Sequence, residues 1–144
     1  MIMNIKALRS FPLAIALSGA WSLPSFAVDP IGMWTADQGT VRVSDCGGAL
    51  CATIVSLKEP NDPQTGRPKT DSHNADASKR NRPLVGVQIL TGLRPQGANK
   101  WSGGQLYNLE DGRTYDANVV LEGANVLKVS GCVMVVCKTR TWTR

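Results

Sequence analysis

The chain is poor in the side chains that most active sites need. It has one histidine, His73, so a paired-histidine metal site or a relay through a second histidine is excluded. His73 does stand beside Asp71 and Ser72. Adjacent side chains rarely form a base and nucleophile, and the chain has no Gly-x-Ser-x-Gly elbow. No Cys-x-x-Cys occurs, which removes the usual redox motif. Asp62, Asp71 and Asp76 do not have the spacing of an EF-hand loop. No closely spaced carboxylate pair falls on one face of a predicted strand. Lys and Arg do not cluster with interleaved aromatics, which argues against nucleic-acid binding. No catalytic residues, metal or cofactor are expected from this inventory, and the protein reads as a non-enzyme.

A bilayer-length apolar run is also missing. Phe11 to Leu23 is uncharged and mostly apolar, but too short to span, and Pro12, Gly19, Ser22 and Pro24 interrupt the region. With Lys6 and Arg9 ahead of it and Ser25-Phe26-Ala27 behind it, the stretch reads as a secretory signal, residues 1–27, cleaved before Val28. The expected product is periplasmic or secreted, with no stable membrane insertion. Removing 27 of 144 residues leaves 117, enough for one domain, 28–144, with its own core. Losing Lys6 and Arg9 lowers the formal charge from +5 to +3, so the mature surface is only mildly basic.

The four cysteines are the first positive signal. In an exported chain they are expected as two disulfides. Cys46 to Cys51 and Cys132 to Cys137 share a four-residue gap. Three connectivities are possible, and spacing does not choose among them. The local pairs, each clamping one hairpin, are the expectation.

Strand patterns fill most of the rest. Candidate strands are 31–36, 40–44, 51–57, 84–90, 100–108, 113–122, 126–130 and 138–144, with Gly47-Gly48, Gly92 to Gly97, Glu110-Asp111-Gly112 and Gly123-Ala124-Asn125 as turns. In 113–122, Tyr115, Ala117, Val119 and Leu121 share one face. The segment 58–83 lacks apolar periodicity and is expected as a mobile loop over one barrel mouth, with one helical turn over 74–79 capped by Asn74. About eight strands in a meander favour an all-β, antiparallel, up-and-down barrel over a two-sheet sandwich, because closure removes exposed edges.

Gly32-Met33-Trp34 on the first strand resembles the Gly-x-Trp of lipocalin-like barrels, in which an Arg of the last strand packs over the Trp. The resemblance assigns that closing role to Arg140 or Arg144. A wider resemblance covers essentially the whole mature chain. It comprises the Cys46-Gly-Gly-Ala-Leu-Cys51 hairpin, Asp71-x-x-Asn74, Arg82-Pro83-Leu84-x-Gly86, Trp101-Ser-Gly-Gly-Gln-Leu-Tyr107, Asp111-Gly-Arg-Thr-Tyr115 and the ending Gly131-Cys132 through Arg144. In these stretches the chain resembles the bacterial domain-of-unknown-function family 2147, which implies a lipocalin-like fold, export and no established reaction.

An eight-stranded barrel is wide enough to be filled by side chains or to hold one small ligand. The expected role is a binding module for a small hydrophobic or amphipathic ligand. Trp101, Leu106, Tyr107, Tyr115, Val119 and Leu121 are the expected lining, and the 58–83 loop, with Asp71, Asn74 and Arg82, is the expected lid. The alternative is a filled barrel that meets an envelope protein through its surface.

Overall fold

The computed structural model describes residue 12 and residues 14–23 and 29–144. Lys6, Arg9 and the expected cleavage point before Val28 lie outside the described residues. Eight antiparallel strands follow one another around a closed barrel. They are β1 (Gly32–Ala36), β2 (Gly39–Asp45), β3 (Leu50–Leu57), β4 (Gln88–Pro95), β5 (Lys100–Asn108), β6 (Arg113–Glu122), β7 (Val126–Val133) and β8 (Val136–Thr143). Closure comes from β8 returning to β1 at Thr35 and Thr143. No helix among the described residues is long and apolar enough to cross a membrane.

Alternation builds the wall. On β2, Val41 and Val43 point inward while Arg42 is exposed; on β6, Ala117, Val119 and Leu121 are buried. Local chemistry sets the turns. The Asp45 carboxylate accepts the Gly48 N–H at 2.7 Å, and the disulfide Cys46–Cys51 clamps the same hairpin. The second disulfide, Cys132–Cys137, closes the β7–β8 hairpin, so both local pairs form.

Three details differ from the sequence reading. Strand β4 starts at Gln88, not Leu84, because residues 84–87 form a turn with Gly86 at φ 95°. It then runs past Gly92 to Pro95, since fully buried Leu93 pairs with Leu50 and keeps the chain in the sheet. The short turn in the long connection is a 3₁₀ turn over Ala77–Lys79. It is capped by Asp76 and not Asn74, whose side chain is turned toward Asp71.

The two ends of the barrel are unlike. One end is packed solid by Trp34, Val43, Leu90, Leu93, Leu127 and their neighbours, each large apolar side chain contributing about 1.5–3 kcal/mol by leaving water. Arg144 seals this end. Its guanidinium sits 4.3 Å from the Trp34 ring centroid and donates to the carbonyls of Asp29, Ile31 and Ala124 at 2.7, 3.1 and 2.8 Å. The Trp34 indole N–H donates to the Pro30 carbonyl at 2.8 Å. Arg140 does not share the closing role. Four residues up β8, about 13 Å away along the strand, it lies 3.7 Å from Asp37 at the opposite end.

Candidate functional site

That opposite end is open. A cavity of about 350 Å³ descends from the mouth into the upper half of the barrel. Its wall is chiefly apolar, with Val41, Ile54, Leu57, Ile89 and Leu106 around it and the Trp142 indole deep inside. Gly131 keeps the space open: a β-carbon there would stand 2.8 Å from Leu106 Cδ2. Strand β8 explains why the space exists. Its inner face, two residues apart, carries Val136, Lys138, Arg140 and Trp142, all of which line the cavity, and only Trp142 is buried. Where an ordinary barrel strand would continue the apolar stripe, β8 offers two cations. They are Lys138 and Arg140, both exposed.

The mouth also carries acids. Asp37 faces Arg140, the Glu110 carboxylate accepts from the Gln38 amide at 3.0 Å, and Asp111 accepts from the Tyr115 hydroxyl. The Tyr115 hydrogen bond holds the Asp111 carboxyl below its ordinary range and, reciprocally, pushes the Tyr115 phenol up. Beside the mouth stands the β7–β8 turn. Val133, Met134, Val135 and Val136 are 56, 91, 94 and 71 % exposed, an apolar tip in full contact with water. Met134 adopts φ 53° there, a conformation that two-residue hairpin turns usually give to Asn or Gly.

Of the residues expected to line a ligand site, Leu106 and Tyr115 reach the cavity, and Tyr107 borders it while its hydroxyl is turned outward to Asp71. Trp101, Val119 and Leu121 lie in the packed half, because β5 and β6 carry them past the open portion toward the sealed end. The residues that sequence reasoning passed over are Lys138 and the inward side of Arg140. The signal was present: once Trp142 is placed inside, period-two alternation puts Arg140 and Lys138 on the same face.

The long connection does not cover the mouth. No residue between Lys58 and Gln88 contributes to the cavity wall. The segment is folded on itself by bridges Asn61–Pro68 and Thr70–Pro83, and is pinned to the outer wall at β5. The pin is the carboxylate of Asp71, whose side chain is fully buried. Asp71 Oδ2 accepts from Asn74 Nδ2 at 2.8 Å and from Arg82 Nε at 2.9 Å, and Oδ1 accepts from the Tyr107 hydroxyl at 2.6 Å. Arg82 also lies 5.9 Å from the Tyr107 ring centroid. Burial alone would raise the Asp71 carboxyl. The hydrogen bonds from Asn74, Tyr107 and Arg82, with the Arg82 charge, outweigh it and hold the group below its ordinary range. Burial, followed by the bond to the Asp71 carboxylate, pushes the Tyr107 phenol up to about 12. A second contact pins the loop at the β5–β6 turn, where the His73 carbonyl lies only 1.7 Å from the place a β-carbon of Gly112 would occupy. Only glycine fits there. His73 itself is exposed, its Nδ1 3.4 Å from the Leu109 carbonyl, and it does not touch Asp71 through its side chain. Among the described residues no three His, Cys, Asp or Glu side chains converge as metal ligands would.

Comparison with known proteins agrees with this architecture. The family model described as "Uncharacterized protein conserved in bacteria (DUF2147)" matches residues 32–144. No curated protein matches the chain in sequence. Among solved structures, the chain is similar to protein HP1028 of Helicobacter pylori, described as belonging to the lipocalin family. The two share 26 % identity and a TM-score of 0.70 over 81 % of this chain and 83 % of that one. A closed eight-stranded meander, sealed by Arg144 over Trp34 and matched from β1 to the last residue, places the chain in the bacterial family DUF2147, with a lipocalin-like fold.

Proposed function

We propose that this protein is an exported carrier or sequestering module for one small apolar or amphipathic molecule, and that it performs no chemistry on it. The observation that carries this reading is the half-filled barrel. About 350 Å³ of open, mostly apolar space sits above a solid base, within the range of small-molecule sites. Lining that space with apolar atoms and leaving it exposed is costly unless something fills it, and a ligand's apolar body is the economical filler. The two disulfides and the short apolar N-terminal run support export, with the mature chain beginning at Val28 and residing in the periplasm or outside the cell.

The test is a titration with the apolar fluorescent probe N-phenyl-1-naphthylamine. Saturable binding is expected, accompanied by a change in emission from Trp142. Gly131→Val, which fills the cavity from β7, should weaken that binding at least tenfold while the thermal melt stays cooperative. Ala36→Leu, filling from β1, should act alike. Unsaturable binding, or equal affinity in both variants, defeats the carrier reading.

A second reading has its own observation. The exposed apolar tip, Val133 to Val136, offers a contact point for an envelope protein. It is compatible with a filled or an empty barrel.

A further inference from the structure

The cavity is not uniformly apolar: Asp37, Glu110 and Asp111 stand around its mouth, and two cations lie side by side on the inner face of β8. We infer that the ligand carries an anionic end group, a carboxylate or a phosphate monoester, held by Lys138 and Arg140 while its apolar body reaches down toward Trp142. This deepens the carrier reading and rests on it.

Inward positions of a small barrel are normally filled by apolar side chains, so two charged groups in a row there are a departure from the pattern. Lys138 and Arg140 occupy two successive inward positions, both lining the cavity. Among the described residues Lys138 has no acid within ion-pair distance. Arg140 reaches Asp37 at 3.7 Å, with both side chains 61 % exposed, a loose pair that an incoming anion can share or replace. The remaining acids of the mouth, Glu110 and Asp111, keep their charge, since the Gln38 amide and Tyr115 hydroxyl that donate to them are neutral, but they stand on the β5–β6 turn and not on β8. From Val126 to Arg144 the last hairpin contains no Asp or Glu at all, so nothing on β7 or β8 opposes an anion.

Geometry then sets the polarity of the guest. The cations are near the mouth, and the deep wall is Val41, Ile54, Leu106 and Trp142. An amphipathic molecule enters tail first and leaves its charged end at Lys138 and Arg140. Arg140 offers a planar fork suited to either oxyanion, and Lys138 offers a compact point charge. A cationic end group would meet these two charges directly and is disfavoured.

The experiment holds the tail constant and varies the head. Displacement of N-phenyl-1-naphthylamine is measured with dodecanoate, dodecyl phosphate, dodecanol and dodecyltrimethylammonium, each below its micelle concentration. Both anions are expected to compete at least tenfold better than dodecanol, and the cation worse. A preference between dodecanoate and dodecyl phosphate identifies which oxyanion the site takes. Lys138→Gln combined with Arg140→Gln should erase the anion advantage, bringing both anions to the level of dodecanol in the same variant. Raising salt should weaken the anions and not the alcohol. If dodecanol competes as well as the anions, or if the double variant keeps the anion preference, the headgroup assignment is overturned while the carrier reading stands. If none of the four displaces the probe, the carrier reading itself fails.

Discussion

Two side chains decide the most at the scale of single residues, and they lie at opposite ends of the barrel. Arg144 joins β8 to the chain before β1 through three carbonyls and the face of Trp34. An exposed cation–π contact is worth about 0.5–1 kcal/mol and each hydrogen bond a similar amount. Arg144→Ala should therefore lower the thermal midpoint by several degrees, while probe binding at the far mouth stays the same. Arg144→Lys should recover only part of the loss, because one ammonium cannot reach three carbonyls and stack. Asp71 is the counterpart at the loop. Its folded pKa is depressed, so its contribution is complete above the unfolded value of about 3.9 and is lost as pH falls through the lower folded value. Stability followed by denaturant unfolding should fall below about pH 4, and Asp71→Asn should flatten that acid limb. The exposed Asp111 shares the direction of shift, so Asp111→Asn serves as the control and should flatten it less. At neutral pH, Asp71→Asn leaves Arg82 without its anion and should cost about 1–3 kcal/mol. An unchanged acid limb in Asp71→Asn would show that the loop is held by something else.

Among the elements, the barrel strands were the most readable part of the sequence. β2 and β6 announce themselves by period-two alternation, β3 by its β-branched residues and β5 as a strand bent at Gly103-Gly104, and Tyr115, Ala117, Val119 and Leu121 share the inner face that their spacing predicts. Strand β4 was misplaced for a physical reason. Leu84-Val85-Gly86-Val87 has strand composition, but Gly86 adopts positive φ and turns the chain before the sheet begins. The long connection was unreadable for a different one. It has no periodicity because it is held by polar side chains, Asp71, Asn74 and Arg82, meeting Tyr107 from a strand thirty-six residues after Asp71. Such tertiary hydrogen bonds leave no local pattern. The last hairpin shows both cases. Its cysteine pair was legible, whereas the inward cations of β8 were passed over, although alternation from Trp142 places them on that face. The Cys132–Cys137 bridge closes a short loop, so Cys132→Ser with Cys137→Ser should cost only about 2 kcal/mol on the chain-entropy account. Differential scanning calorimetry in parent and double variant measures it. Hydrogen exchange at Val133 to Val136 should rise, with that at β2 and β3 unchanged. A collapse of the whole fold would mean that the bridge carries far more than loop closure.

For the whole molecule, the asymmetry between a sealed end and an open one is the organising fact. Arg144, Trp34 and the filled lower core make a rigid base, so the mouth can stay open without loss of the barrel. The loop at the side braces the wall and leaves the entrance free. The two disulfides and the open cavity are what the proposed role, an exported module that meets its ligand outside the cytoplasm, requires. The most direct test of that account is native mass spectrometry of the protein purified from its own host under non-denaturing conditions. The account predicts a protein peak carrying one additional small molecule per chain. That molecule should be released by organic solvent, be anionic in negative-ion analysis, and be absent from Gly131→Val. Bare protein in repeated preparations, together with no uptake of dodecanoate added afterwards, would contradict it.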